Sequence, residues 1–315
     1  MECNHYDYYM GDEYYYRKIN DFGIEIRHFI FNLDGDIEKQ MHFVMEHDIN
    51  GLALSPNNND VASQYKLACS IIEKLNDKLL LLIFLFDEFE TLDILDSTPN
   101  LKSLSLHCKL KKPYDFTKLS NLEDLTVWYG KAFSSVFECT GIKQLQIFKM
   151  DAYAAENIHK LYQLRDLQIR QSSIKDIDGL RNLSKIERLS LRYLPKLESI
   201  SFIENCRKIK WLLLQNCKKV ADWEVISTLS DLKELCLESC GTLNDIDFLK
   251  PLENLVAVSL IVDTKLTNGN VRWLYERPTM KKIVLPWRKD FNISLEEFWA
   301  GQTPERYPDV WKWNL

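Results

Sequence analysis

Aliphatic residues along this chain fall into a recurring short pattern, apolar at its first, fourth and sixth positions. It occurs at Leu101-Leu104-Leu106, Leu122-Leu125-Val127 and Ile142-Leu145-Ile147. Leu164-Leu167-Ile169, Ile186-Leu189-Leu191 and Ile209-Leu212-Leu214 continue it. Leu232-Leu235-Leu237, Leu255-Val258-Leu260 and Met280-Ile283-Leu285 complete nine copies. From Leu101 to Met280 the spacing between successive starts stays nearly constant. A template this loose matches roughly five times by chance in such a chain, so the even interval carries more weight than the count. Each copy predicts a short strand with one buried face, and recurrence at this interval marks stacked supersecondary units. One unit cannot bury its own ladder of side chains, so it packs on its neighbours. Each buried Leu, Ile or Val contributes about 1.5–3 kcal/mol.

The stretches between strands are patterned as well. In one unit Leu164, Leu167 and Ile169 are followed by Ile174, Ile177, Leu180 and Leu183 before the next unit opens at Ile186. Ser172 stands at the turn after the strand, and Cys217 and Cys240 hold the same place in two later units. This combination resembles the leucine-rich repeat of the short internalin and SDS22-like kind, with Ser172 where that family usually has Asn. The two Cys-bearing units resemble its cysteine-containing form. The resemblance covers residues 80–288. It implies an α/β solenoid: a leucine-rich repeat arc with a parallel β-sheet on its concave side, short helices or irregular segments on its convex side, and a cap at each end. In that family the turn Asn or Cys satisfies buried backbone groups, so Lys109, Gly130, Met150 and Leu194 in its place imply irregular turns.

Upstream, Leu80-Ile83-Leu85 fits the template one repeat interval before Leu101, and Ile49-Leu52-Leu54 fits it earlier again, after a longer gap. That places Leu82, Phe84 and Phe86 on the outward face, an apolar surface expected either to be covered by the N-terminal cap or residues 1–20 or to belong to the interface. Ile24–Phe31 predicts a strand, then an Asp34-Gly35-Asp36 turn and a helix through about His47. Tyr65, Leu67, Ala68, Ile71, Ile72 and Leu75 predict a helix over Val61–Leu75, which takes up the extra length. Residues 1–78 therefore read as an N-terminal cap with divergent repeats, 79–288 as the solenoid and 289–315 as a C-terminal cap. In the last of these Phe291–Gly301 predicts a helix with Ser294 as N-cap, and Trp311 and Trp313 are expected to close the last repeat.

Composition adds limits. Of 315 residues, 46% are hydrophobic and 27% charged, the balance of an ordinary globular protein. The longest apolar run, Leu79 to Phe86, is too short to span a membrane. The first residues lack the basic start and apolar stretch of a signal peptide, so a cytoplasmic location is expected. The eight cysteines are then expected to be reduced thiols. Charge is uneven. Residues 1–100 hold 19 Asp and Glu against 7 Lys and Arg, leaving 27 against 33 in the remainder. An acidic head and a mildly basic body suggest different surroundings for each.

Sites for chemistry are few. No cysteine pair has Cys-x-x-Cys spacing, and His42, Glu46 and His47 do not form a His-Glu-x-x-His motif. No metal or cofactor is expected. Gly-rich phosphate loops, nucleophile elbows and kinase motifs are absent, so the chain is read as non-enzymatic. Six tyrosines (Tyr6, Tyr8, Tyr9, Tyr14, Tyr15, Tyr16) are interleaved with Asp7, Asp12 and Glu13, either as an arm for a basic partner or as packing beneath the cap.

The positional signal is stronger. The third, fifth and seventh residues of each strand face away from the core, and large aromatic and Arg side chains there favour a partner. Trp128, Phe148, Arg170, Arg192 and Trp211 are expected to form one row across five units, with Tyr129, Arg188, Gln215, Glu234 and Glu238 beside it. The expected role is a protein-binding scaffold using its concave face, in particular an immunity or inhibitor protein that occludes a basic toxin or enzyme. An adaptor in a regulatory complex is the alternative. Binding of nucleic acid through Lys109, Lys111, Lys112, Lys131, Lys143 and Lys149 is the weakest reading, because those lysines fall mostly in turns.

Overall fold

A strand that buries every second side chain and then repeats itself has one economical arrangement, parallel pairing with the next copy in the same register. The computed structural model describes residues 7–10, 15–21, 24–55 and 61–301. It divides into two compact units, Met1–Leu145 and Gln146–Leu315.

In the first unit, β1 (Asp7–Met10), β2 (Tyr15–Asp21) and β3 (Ile24–Asn32) pair antiparallel in sequence. Parallel pairing then runs from β3 to β4 (Gly51–Ser55), β5 (Leu81–Phe84), β6 (Ser103–Leu106) and β7 (Asp124–Trp128). Helix α1 (Ile37–Glu46) follows β3 and α2 (Val61–Leu75) follows β4. The Asp36 side chain accepts from the Lys39 amide and caps α1. Gln40, fully buried, ties that helix to the end of β3 by accepting from the Asn32 amide at 2.8 Å and donating to its carbonyl at 2.8 Å. Tyr8, Tyr9, Tyr15 and Tyr16 lie on β1 and β2; Tyr6 and Tyr14 fall outside the described residues.

Rungs begin earlier than the aliphatic template indicates. Ile26, Phe29 and Phe31 occupy the first, fourth and sixth positions, all buried, one repeat interval before Ile49, Leu52 and Leu54. The next rung is Leu79-Leu82-Phe84, not Leu80-Ile83-Leu85. Leu82 pairs with Leu104 and Phe84 with Leu106, and Leu82, Phe84 and Phe86 are buried while Leu85 is 45% exposed. The outward placement of Leu82, Phe84 and Phe86 is thus corrected by a single step along the chain, which exchanges the two faces of the strand.

Strand β8 (Gln144–Phe148) contains the boundary between the units. In the second unit β9 (Asp166–Arg170), β10 (Arg188–Arg192), β11 (Trp211–Gln215), β12 (Glu234–Glu238), β13 (Ala257–Ile261) and β14 (Lys282–Val284) form a parallel sheet. Their third positions are in line, Asp166 with Arg188, Trp211, Glu234, Ala257 and Lys282. The return segments are built of tight turns, such as Asp178–Asn182 and Trp223–Thr228, in which buried apolar residues recur every third position. Helix α3 (Ala152–Asn157) precedes the tight turn Ile158–Lys160 in one return segment. A Cβ on Gly179 would collide with the carbonyl oxygens of Ala155 and Glu156, so glycine permits this close approach.

After each of β8 to β13 one residue adopts the left-handed conformation: Lys149, Gln171, Tyr193, Asn216, Ser239 and Val262, with φ between 52° and 59°. Its amide donates to the seventh residue of the next unit, as from Gln171 to Arg192 at 3.0 Å and from Tyr193 to Gln215 at 2.7 Å. The following side chains are buried and donate backwards. Cys217 Sγ reaches the Leu191 carbonyl at 3.6 Å, Cys240 Sγ that of Leu214 at 3.3 Å, and Thr264 Oγ1 that of Leu237 at 2.9 Å. Helix α4 (Arg272–Glu276) and helix α5 (Leu295–Gly301) close the described chain. Ser294 Oγ accepts from the Glu297 amide at 3.1 Å, and Glu297 accepts from the Ser294 amide at 2.7 Å, a reciprocal capping box. Phe298 is buried against Trp287, ring centroids 4.9 Å apart. Trp311 and Trp313 lie outside the described residues.

Candidate functional site

Side chains at the third, fifth and seventh positions of the repeats that carry β9 to β13 line the sheet face opposite the core. In the middle row Ser190, Leu213, Cys236 and Ser259 are buried and Gln168 is half-buried. The face is therefore two ridges, of third and seventh positions, on either side of a mostly buried trough.

The third-position ridge is internally compensated. Arg188 stands 3.7 Å from Asp166 Oδ2 and over the Trp211 ring at 4.7 Å. Trp211 Nε1 donates to Glu234 Oε1 at 3.1 Å. Cation, ring and carboxylate hold one another, leaving a half-buried indole in a set orientation. At the seventh position the ridge runs Phe148, Arg170, Arg192, Gln215 and Glu238, with the register of the last four given by the strand pairing. The Arg170 guanidinium stacks over Phe148 at 5.7 Å, and Arg192 Nε donates to Ser190 Oγ at 3.1 Å. Burial lowers the pKa of both arginines, and at Arg170 the charge of Arg192 lowers it further.

The row expected from the sequence is corrected here. Trp211 pairs with Arg188, whereas Arg192 pairs with Gln215, so Trp211 belongs to the other ridge, at the opposite end of the strand. Phe148 lies under Arg170 and is only 9% exposed, which makes it a floor and not a projecting anchor. Tyr129 is 8% exposed and packs on Phe137 at 5.7 Å, because the eighth residue of its unit turns inward. Trp128, in the first unit, is half-buried at the end of β7, the seventh position of its repeat. Tyr193, 48% exposed at the left-handed turn after β10, was not among the expected site residues; its signal was its recurrent turn position, which aims an aromatic ring outward beside the arginines.

Other candidates disperse. Lys111 pairs with Glu88 at 2.7 Å, Lys112 with Glu90 at 3.0 Å and Lys143 with Glu123 at 2.8 Å, so half of the six lysines considered for nucleic acid have carboxylate partners. His47 stacks on Phe43 at 4.1 Å while His42 lies near Glu46 on the exposed side of α1. Among the described residues no group of three His, Cys, Asp or Glu side chains is placed to hold a metal ion. A depression of about 1140 Å3 beyond the ends of β8 and β9 is lined by Asp151, Glu156, Asp176 and Asp178 together with Lys149 and Lys175, and holds none of the residues expected on the concave face.

A family model for the BspA type leucine rich repeat region matches residues 156–260 in six copies. An internalin (inlF) of Listeria monocytogenes is similar in structure, with a TM-score of 0.50 and 18% identity over 70% of this chain and 71% of that one. The chain has the leucine-rich repeat fold. A second internalin of the same organism, internalin C2 (inlC2), aligns with a TM-score of 0.48 at 19% identity over 60% of this chain and 84% of that one. No curated protein matches the sequence. The leucine-rich repeat fold generally mediates protein binding.

Proposed function

We propose that the protein is a non-enzymatic scaffold that binds another protein through the sheet face of β9 to β12, and that its role is inhibition of that partner by occlusion. The observation that carries the reading is Trp211, held between Arg188 and Glu234 on an otherwise polar face. An aromatic ring fixed in advance loses little conformational entropy on contact, which is the property of interface anchors. The acidic first hundred residues, 19 Asp and Glu against 7 Lys and Arg, favour a partner with basic surface and a strongly salt-dependent encounter.

Capture from the native host at low salt tests this. A partner retained by the wild type and by Lys208→Ala, on an exposed return segment, is expected to be lost with Trp211→Ala. If the partner has enzymatic activity, stoichiometric addition of the wild-type chain should suppress it. Retention by Trp211→Ala as strongly as by the wild type would contradict the proposed site.

A further inference from the structure

On the sheet face of the second unit, positive charge is ion-paired on one ridge, whereas Arg170 and Arg192 on the other have no ion pair among the described residues and the more distant Glu238 favours the Arg192 charge. Arg188 has Asp166 beside it and shares Trp211 with Glu234. Arg170 and Arg192 face each other directly across neighbouring parallel strands, about 4.8 Å apart along the sheet. Like charges placed opposite one another in this way destabilise a sheet. Among the described residues the Arg170 guanidinium makes no ion pair and no hydrogen bond; its Nε is buried without an acceptor and the group lies over the Phe148 ring. Arg192 uses its Nε on Ser190 and has no ion pair there either. Each guanidinium carries five N–H donors in a planar fork, and Ser190 accepts only one of the ten in the pair.

We propose that Arg170 and Arg192 together seat one carboxylate, an Asp or Glu side chain of the protein partner, with Phe148 beneath it and Tyr193 at its rim. This rests on the reading of the sheet face as the partner site. Planar forks match a carboxylate in bidentate geometry, and a single anion between two arginines offsets their repulsion as well as its own desolvation. Surrounding charge selects the kind of anion. Glu238 follows two strands on along the same ridge, and Asp166 and Glu234 lie on the parallel one. This frame of carboxylates repels a polyanion such as nucleic acid but admits a lone acidic side chain.

The wild-type chain, labelled with 15N at arginine, is titrated with acetate at constant ionic strength while the arginine Nε–H signals are followed by NMR. Acetate is expected to shift the signals of Arg170 and Arg192 saturably and to leave that of the exposed Arg207 in place. Arg170→Gln should remove most of the Arg192 response, and the unchanged remainder of the spectrum reports an intact fold. With the partner in hand, the double variant Arg170→Gln/Arg192→Gln is expected to bind it about 10-fold or more weakly. Absence of any acetate response at Arg170 and Arg192, or a stronger response to inorganic phosphate or a single-stranded oligonucleotide, overturns the seat. If the seat fails while Trp211→Ala still abolishes capture, the sheet face remains the partner site without it. If acetate binds but neither Trp211→Ala nor the double variant weakens capture, the partner docks elsewhere and the assignment of its carboxylate to this pair is wrong.

Discussion

Val262 is a β-branched residue held at φ 59° and 65% exposed, at a turn where other units place Asn216 or Ser239. The left-handed region brings Cβ against the carbonyl oxygen and costs about 1–2 kcal/mol for most side chains, least for Asn. Val262→Asn is accordingly expected to raise unfolding stability by about 1 kcal/mol in urea titrations; a neutral or destabilising effect would mean that Val262 contributes packing that its exposure does not suggest. The thiols carry a second consequence at this scale. Burial pushes Cys108, Cys139 and Cys217 up to about 12 and Cys206 and Cys240 up to about 11, from 9.0. Below the unfolded value both states hold their protons and stability is unaffected. Above it the unfolded chain ionises first, so stability should fall as pH rises from about 9 towards 11 or 12. Urea midpoints at pH 7 and at about pH 10 check this, and replacing Cys217 and Cys240 with Ser should flatten the decline. The turn role of these cysteines was legible in the sequence because they recur at Ser172's place. The donation from Thr264 was not, since Asp263 lengthens that turn by one position.

The run Leu79–Phe86 shows why an element can be recognised and still be misplaced. An unbroken apolar stretch contains no alternation, so either parity fits a strand; only pairing with Leu104 and Leu106 selects Leu82 and Phe84 as the core positions. Leu82→Ala is expected to cost about 2–5 kcal/mol and Ile83→Ala less than about 1 kcal/mol, measured by chemical denaturation; the reverse ranking would restore the other register. The rung at Ile26, Phe29 and Phe31 was hidden for a different reason, since a template restricted to aliphatic residues passes over Phe, although the rings fill the same positions. Helices gave clearer signals. The boundaries of α2 coincide with the apolar spacing over Val61–Leu75, and Ser294 caps α5 as its sequence context predicts. Ser294→Ala should lower stability by about 1 kcal/mol, with the loss confined to the last helix in hydrogen exchange.

At the scale of the whole chain, repeat length and rung chemistry were enough to identify the solenoid, and the outward positions of each strand could be counted from the rungs. Which outward residues share a ridge could not be judged by inspection of large side chains alone. Trp211 and Arg192 both face outward, yet they occupy the third and seventh positions and sit on opposite sides of the trough. The compensation of Arg188 by Asp166, and its absence at Arg170, depend on cross-strand distances that no single strand encodes. The claim on which the functional account turns is that the partner covers the outer face of β9 to β12. Hydroxyl-radical footprinting of the free chain and of the complex measures this directly, residue by residue. Trp211 and Tyr193 should be protected in the complex while Tyr162, 53% exposed on a return segment, stays as reactive as before. Protection of Tyr162 with Trp211 and Tyr193 unchanged would contradict the account.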